Sequence, residues 1–336
     1  MARLNVLITA ASRRVALVRG FQRALLRPDT TGEVIVTDVN PLSPAVHFAD
    51  RAYRVPLSDD PGYLDEIRAI CHTHGIGLIV PTIDDEVPLF AARRADFEAA
   101  GIRVAVPTRR TAEVCVDKYA TSRRLRMAGV AAAETWVPAK LPKQLEYPLF
   151  IKPRGGRGGV QAFAVRSAEE LQFFLNYVQD PIVQRYLHGP EFTLDLLCDF
   201  AGQPISVVPR ERVVIRSGVI DRGRTVNDPA LLDLALACAK VFQFAGAVNI
   251  QCRVVQGVPT VFEINPRFAG GIPLTLAAGA DFPGMLVDLA LNRPVPPAIG
   301  AFKPELWMSS FETSVFLEQP EQALQPCSRL ITAEVA

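Results

Sequence analysis

Residues 149–161 read LFIKPRGGRGGVQ. A short apolar run leads into Lys152 and Pro153, and four glycines follow around Arg157. The apolar run predicts a strand, and the glycines (Gly155, Gly156, Gly158 and Gly159) predict a flexible loop whose backbone N–H groups can approach phosphate oxygens. A glycine-rich hairpin tip between two strands is the alternative, and the segment alone does not separate the two. The spacing matches neither the Walker A pattern nor the dinucleotide-binding fingerprint.

A second polar motif, FEINPR at residues 262–267, follows about a hundred residues later. Glu263 and Asn265 alternate along a predicted strand, so they point to the same face, and Gln251 lies on the preceding strand of a predicted hairpin. Such hard oxygen donors suit Mg²⁺, which usually shares its coordination shell with water and phosphates. A half-buried polar sheet face is the plainer alternative, but Arg267 and the glycines of FAGG close by favour a site.

The third segment is VQRYLHGPEFTLD, residues 183–195. Its extended backbone near Arg185 and Leu187 could pair with a planar base, and Glu191 could accept hydrogen bonds from sugar hydroxyls. A plain strand, turn and strand is the alternative when the segment is taken by itself.

The first third of the chain alternates short apolar runs with helical patterns, which predicts a parallel sheet with covering helices. The runs are LNVLITA, VIVTD, LIVPT and IRVAVP. Further on, Gly129 is expected to end a helix that starts at Asp117, Ser167 and Glu170 form a capping-box pattern, and Asp228 with Pro229 starts another helix. GQP and QGVP lie between strand-like runs of the last portion and predict antiparallel pairing there.

Composition excludes several classes of protein. The 36 basic and 35 acidic residues give a net charge of +1, and no basic cluster is interleaved with aromatics, so nucleic acid is not an expected partner. No apolar stretch reaches the length of a membrane span, and the amino terminus lacks the core of a signal peptide, so we expect a cytoplasmic protein. The scattered cysteines (Cys71, Cys115, Cys198, Cys238, Cys252 and Cys327) predict buried thiols rather than zinc ligands or disulfides.

Taken in order, these segments resemble the ATP-grasp superfamily. A lysine at the start of a helix follows a Rossmann-like region, and it is followed by Lys152 with its glycine-rich loop, the strap with Glu191, and the Gln251, Glu263 and Asn-Pro-Arg set. The order is similar to the large chain of carbamoyl phosphate synthetase and to small carboxylate–amine ligases, over about residues 4 to 295. The resemblance implies a mixed α/β fold in three parts: a Rossmann-like parallel-sheet domain (1–112), a small lid subdomain (113–186), and a larger antiparallel-sheet subdomain with a C-terminal extension (187–336).

The resemblance also implies roles for individual residues. Lys118 and Lys152 would contact ATP phosphates, although a solvated helix residue is the ordinary alternative for Lys118. Adenine recognition falls to Gln184 and to the backbone of Arg185 and Leu187, ribose recognition to Glu191, and phosphate contact to the glycine-rich loop with Arg157 at its tip. Gln251, Glu263 and Asn265 would hold Mg²⁺, with Mn²⁺ as a possible substitute, and Arg267 would steady the transferred phosphoryl group. Gly159 and Gln161 depart from the family's loop, which often has Ser and Gly there, so the lid is expected to close differently over the γ-phosphate.

Residues for the other substrates are predicted less narrowly. Arg210, Arg212 and Arg216 are spaced along one predicted strand, so all three are expected on one side, where they either grip a carboxylate or form a charged sheet edge. Strand ends of the first domain, at 10–14, Asp38 and 82–86, are candidates for binding the acceptor. The four histidines (His47, His72, His74 and His188) show no ligand spacing.

The expected function is an ATP-dependent carboxylate–amine ligase that works through an acyl phosphate and releases ADP and phosphate. Lys152, Arg216 and Arg267 are its expected catalytic residues, and a small carboxylate, an amine and a possible second copy of the chain are its expected partners. Two alternatives stay open at this stage: phosphorylation of bicarbonate or carbamate as in carbamoyl phosphate synthetase, and an ATP-binding regulatory protein without turnover.

Overall fold

The computed structural model describes residues 1–156, 158–216 and 218–326, which divide into two compact units. Unit 1 consists of Met1–Val106, Ala280–Pro296 and the described part of Phe311–Ala336. Unit 2 consists of Pro107–Gly279 and Pro297–Ser310. The three-part division at residues 112 and 186 stays a prediction.

The first segment of unit 1 alternates strands and helices, and its central strands are buried along their whole length. Parallel strands are covered by helices on both faces, which favours apolar runs such as VLI in β2 and VIV in β4, and both strands are buried at every position. The elements are β1 (Ala2–Arg3), β2 (Asn5–Thr9), α1 (Val15–Leu25), β3 (Thr30–Thr31), β4 (Val34–Asp38), β5 (Arg51–Arg54), α2 (Tyr63–His74), β6 (Ile76–Pro81), α3 (Glu86–Ala92), α4 (Arg94–Ala99) and β7 (Arg103–Val104). The order β5-β4-β2-β6-β7, all parallel, confirms the predicted sheet.

Unit 2 begins with two helices and a small antiparallel sheet. Its elements are α5 (Arg109–Val116), α6 (Lys118–Met127), β8 (Thr135–Trp136), β9 (Leu149–Pro153), β10 (Phe163–Val165), α7 (Ala168–Tyr177) and β11 (Pro181–Arg185). The strand order is β10-β9-β11-β8. Asp117 caps α6 by accepting the N–H of Ala120, and Ser167 caps α7 by accepting the N–H of Glu170, as the sequence predicts.

A larger antiparallel sheet fills the rest of unit 2, in the order β16-β15-β12-β13-β14-β17. Its elements are β12 (Glu191–Cys198), β13 (Pro204–Arg216), β14 (Val219–Thr225), α8 (Pro229–Val241), β15 (Gly246–Val255), β16 (Val258–Asn265), α9 (Ile272–Ala277) and β17 (Trp307–Ser309). The predicted antiparallel hairpins are confirmed, since β12 pairs with β13 and β15 with β16.

The two faces of this larger sheet differ in character because side chains alternate along each strand. On one face Leu194, Ile250 and Ile264 join an apolar core that includes Leu231 and Ala235 of α8. The opposite face carries charged and amide side chains, and we call it the polar face. It places the functional groups described below.

The chain then returns to unit 1 with α10 (Phe282–Ala290) and β18 (Gln325–Pro326). Helix α10 packs against α1, where Asp288 pairs with Arg27 at 2.8 Å, and β18 adds in parallel to β5. The predicted bounds 187–336 instead assign α10 and β18 to the C-terminal subdomain.

Candidate active site

The register of the larger sheet arranges the polar face in rows. Arg210, Thr193, Gln251 and Glu263 lie directly opposite one another on β13, β12, β15 and β16, and we call this the central row. The next row contains Asp195, Asn249 and Asn265. The sequence pattern of alternating polar residues in NIQ and EIN is therefore realised as one surface of adjoining oxygen donors.

Glu263 lies at the centre of these donors. Asn265 donates its side-chain N–H to Glu263 at 3.1 Å and to the Asn249 Oδ1 atom at 3.4 Å, while Gln251 lies opposite Glu263 on the neighbouring strand. The predicted trio of Gln251, Glu263 and Asn265 is thus brought together. Asn249 was missed, although it precedes Gln251 by two residues and so shares its face.

Lys152 of β9 brings a positive charge to this carboxylate. Its Nζ lies 3.5 Å from the Glu263 Oε2 atom and donates to the carbonyl of Phe262, with the Phe262 ring centroid 5.4 Å away. Burial lowers the pKa of Lys152 below its usual range. Burial would by itself raise the pKa of Glu263, but the charges of Lys152 and Lys118 and the hydrogen bond from Asn265 together hold it below the usual value. The two side chains form a largely buried ion pair.

Lys118 holds the glycine-rich loop at its first glycines. Its Nζ donates to the carbonyls of Gly155 and Gly156 at 3.1 and 2.7 Å, and only 9% of the residue is exposed, so it is not the solvated helix residue of the alternative interpretation. Three loop glycines and Gln161 have positive φ, a backbone conformation that glycine adopts at little cost. The backbone of Gly158 also lies close to Gly218 in the turn after β13. Arg157 is outside the described residues.

The predicted strap is extended, and most of its polar groups have protein partners. Gln184 is buried and donates to the Thr135 hydroxyl at 2.9 Å, and the Arg185 N–H donates to the carbonyl of Glu134 at 2.8 Å. The two carboxylate oxygens of Glu191 pair with Arg212 at 2.6 Å and with Arg253 at 2.7 Å. The carbonyl of Leu187 accepts from Arg253 at 3.5 Å.

Comparisons with known proteins agree with this arrangement. Residues 177–313 match the family described as ATP-grasp in the biosynthetic pathway with Ter operon, and residues 6–105 match the PylC-like N-terminal domain. The carbamoyl phosphate synthase large chain of Deinococcus radiodurans is 25% identical over 278 residues, which cover 73% of this chain and 26% of that protein. A D-alanine–D-alanine ligase of Clostridium botulinum is 24% identical over 178 residues, 46% of this chain and 58% of the ligase. Residues 177–313 of the chain therefore form a segment of the ATP-grasp family.

Solved structures share the ATP-grasp fold over most of the chain. The L-amino acid ligase of Bacillus licheniformis has a TM-score of 0.70 at 18% identity and covers 90% of this chain and 78% of its own. The biotin carboxylase domain of a Hydrogenobacter thermophilus 2-oxoglutarate carboxylase, in complex with MgADP and bicarbonate, has a TM-score of 0.69 at 19% identity and covers 90% and 73%. The predicted fold is confirmed, and the predicted ATP-grasp relationship agrees with the family match over residues 177–313. The chain spans about a quarter of the length of the carbamoyl phosphate synthase large chains that it matches.

The structure corrects the prediction that three arginines of β13 face the same side. The register of β13 shifts on both sides of Val214, so the alternation that Arg210 and Arg212 share is broken before Arg216. Arg210 is buried against Asp195, Arg212 is buried against Glu191, and the Arg216 side chain is 63% exposed and lies 3.5 Å from Asp221. The three therefore form neither one row of substrate contacts nor a simple charged edge.

Arg267 follows the asparagine of the polar face in a tight turn. Its backbone N–H donates to the carbonyl of Asn265 at 2.8 Å, and its Nη1 donates to the carbonyl of Phe268 at 3.1 Å. The turn therefore places Arg267 two residues after Asn265, one of the predicted metal ligands.

Buried carboxylates also lie at the strand ends of unit 1, where acceptor binding was predicted. Glu86 is buried and accepts hydrogen bonds from Thr9 and Tyr63, and Asp38 accepts the N–H groups of Ser12 and Asn40. The burial of Tyr63 and its interaction with Glu86 raise the pKa of that phenol, so it stays a donor. These carboxylates bind the chain's own donors, and acceptor binding at this edge stays a prediction.

Other predicted features concern residues outside the site. The five described cysteines are buried thiols, whereas Cys327 lies outside the described residues. Burial raises the pKa of the Cys71, Cys198 and Cys238 thiols to about 12. Within residues 1–156, 158–216 and 218–326, no cluster of three or more His, Cys, Asp or Glu is placed to hold a metal. In the same part of the chain, no helix is long and apolar enough to span a membrane.

Proposed function

We propose that the protein is an ATP-dependent ligase that activates a small carboxylate as an acyl phosphate and transfers the acyl group to an amine. The observation that carries this proposal is the buried Lys152–Glu263 pair, set among Asn249, Gln251 and Asn265 on the polar face. A buried charge pair edged by three side-chain amides suits a polyphosphate with its cation better than it suits a structural core.

The nucleotide would lie along the polar face with its phosphates near the two lysines. Lys118 and Lys152 would offset phosphate charge, and the loop glycines Gly155, Gly156, Gly158 and Gly159 would bring backbone N–H groups to the phosphates. We assign adenine to Gln184 and to the backbone of Arg185 and Leu187, and the ribose hydroxyls to Glu191. Because Glu191 already pairs with Arg212 and Arg253, ribose binding would share or replace one of these contacts.

The donor set also fits a hard divalent cation. Glu263 supplies one carboxylate, and Asn265, Gln251 and Asn249 supply amide oxygens on the same face, which is the oxygen-rich, partly neutral shell that Mg²⁺ accepts alongside phosphate oxygens. Mn²⁺ favours similar ligands and could substitute. When bound, the cation would neutralise charge on the β- and γ-phosphates.

The reaction requires no nucleophile from the protein. A carboxylate oxygen of the substrate bonds to the γ-phosphorus as the bond to the ADP oxygen breaks, and the amine nitrogen then bonds to the acyl carbon as phosphate leaves and the amine loses a proton. Lys152 and Arg267 would hold the transferred group, since positioning and charge neutralisation supply most of the acceleration in such transfers. The catalytic role of Arg216 stays a prediction.

A second candidate is favoured by the carbamoyl phosphate synthase relatives, which match most of this chain. In that reaction bicarbonate or carbamate would take the place of the organic carboxylate. The same site would serve, because both substrates present a carboxylate-like oxygen to the γ-phosphorus.

Product analysis tests the proposal. The protein is incubated with ATP, Mg²⁺ and each of the twenty amino acids, acetate, succinate or bicarbonate, and nucleotides are separated by chromatography. We expect ADP and phosphate, and a hydroxamate when hydroxylamine replaces the amine. Glu263→Gln is the matched control and should abolish the acid-dependent ADP. A dominant AMP peak would refute the acyl-phosphate mechanism, and the absence of any acid-dependent ADP would favour a nucleotide-binding regulator.

A further inference from the structure

Arg210 has an unused hydrogen-bond donor on the polar face. Its Nε and Nη2 atoms donate to the two oxygens of Asp195 at 2.8 and 3.0 Å, and only 1% of the residue is exposed. The third nitrogen, Nη1, is buried and has no hydrogen-bond partner among the described residues. A buried guanidinium N–H without an acceptor is costly, so this donor calls for an explanation.

The ion pair alone does not require Nη1. Asp195 balances the charge of Arg210 and also accepts the hydroxyl of Thr275 from α9, so the carboxylate is fully engaged. The pair therefore fixes the guanidinium in one orientation, with Nη1 turned away from Asp195. A rigid, charged donor of this kind is suited to receive an anion.

The place of Arg210 in the sheet indicates which anion. It belongs to the central row with Gln251 and Glu263, two strands from Gln251, so the two backbones are about 10 Å apart at the usual spacing between strands. The long arginine side chain and one small acid fit into that span. An acid bound there would lie beside the γ-phosphate, which Lys152 and the cation at Glu263 would hold.

The turn after Arg267 covers the donor. A Cβ at Gly271 would lie 2.4 Å from Nη1, so only glycine leaves the guanidinium its present place. An anion would reach Nη1 when the backbone at 270–271 moves aside, and the turn would then close over it. Of the neighbouring arginines, Arg212 instead donates to Glu191 and to the carbonyl of Gly218.

We propose that Arg210 Nη1 is the donor that receives the carboxylate of the acid substrate, an inference that rests on the proposed ligase function. Arg210→Lys keeps the positive charge beside Asp195 and removes Nη1. Gly271→Ala keeps the ion pair and fills the space next to Nη1 with a methyl group. Arg224→Lys is the matched control, because Arg224 lies on the same sheet and pairs with Glu211 and Glu305 away from the site.

Two probes are titrated calorimetrically into each MgADP-saturated protein: orthophosphate, and the acid that gives the most ADP with the wild type. We expect both substitutions at the site to weaken acid binding about ten-fold or more, as for loss of a charged hydrogen bond, while the affinity for MgADP changes less than about two-fold. Arg224→Lys should match the wild type. Circular dichroism melting confirms that each variant is folded.

Two results would overturn the assignment: a folded Arg210→Lys protein that binds the acid like the wild type, or one that loses MgADP and acid affinity equally. If no acid supports ADP formation by the wild type, the proposed function fails first. Orthophosphate then decides the anion site by itself, since phosphate binding that is weakened in both site variants supports it and unchanged binding refutes it.

Discussion

Replacing Lys152 by Met tests the buried charge pair, because methionine keeps most of the volume and removes the charge. Lys152 Nζ and Glu263 Oε2 are 3.5 Å apart, and their side chains are 6% and 18% exposed. At an effective dielectric constant of about 20, the attraction over that distance is about 5 kcal/mol before desolvation is subtracted. Removing one partner leaves Glu263 buried and unpaired, which typically costs about 3–5 kcal/mol.

The double variant Lys152→Met/Glu263→Gln removes both charges and separates this cost from lost packing. We expect the single variant to lose about 3–5 kcal/mol of unfolding free energy and the double variant to recover at least half of it. Both tryptophans, Trp136 and Trp307, lie in unit 2, so urea unfolding followed by tryptophan fluorescence reports on this part of the chain. In parallel, calorimetry should show ATP affinity reduced about ten-fold or more in the single variant.

Wild-type stability of Lys152→Met, or no recovery of stability when Glu263→Gln is added, would contradict this expectation. In either case the two charges would not be coupled across the 3.5 Å gap. Unchanged ATP affinity would separately remove Lys152 from the nucleotide site.

Three further outcomes are expected. Glu263→Gln should still fold, although it leaves Lys152 unpaired and lowers stability. Its turnover should fall by about two orders of magnitude or more and recover only partly at high Mg²⁺, which steady-state ADP release measures; near-normal turnover would make the carboxylate structural. Burial and the Arg51 charge hold the pKa of His74 below its usual 6.5, so the neutral ring stabilises the fold above that pH, and stability declines as the pH falls below it. Urea midpoints at pH 8 and 5.5 should therefore differ less in His74→Gln than in the wild type; an equal difference would contradict this. Asp228→Ala removes the cap of α8 and should cost about 1 kcal/mol in the same unfolding assay, whereas Asp233→Ala, in the interior of α8, should not show the loss of a cap.

Local patterns in the sequence predicted much of the fold. The apolar runs of unit 1 favour a covered parallel sheet, and Asp117, Ser167 and Asp228 start helices because their side chains accept the first free N–H groups. Alternation along β16 was enough to place Glu263 and Asn265 on one face. These features depend on neighbours in the chain, which the sequence displays directly.

What the sequence did not reveal depends on pairing between distant strands. The register that sets Asn249 against Asn265 and the bulges around Val214 are properties of the assembled sheet, and the latter moved Arg216 out of line. The ion pair between Arg210 and Asp195 joins neighbouring strands, and neither residue signals the other along the chain. The double pairing of Glu191 was hidden for the same reason.

The discontinuous make-up of unit 1 has a consequence for how the protein is made. During synthesis the first 106 residues leave the ribosome long before α10 and β18. The ion pair between Arg27 and Asp288 and the pairing of β5 with β18 can therefore form only late. A nascent chain would therefore carry an incomplete parallel sheet with an open edge while unit 2 is being translated. Expression of residues 1–106 alone should for the same reason yield a fragment that aggregates. Co-expression with a peptide spanning 280–326 would supply α10 and the edge strand β18 and should reduce the aggregation.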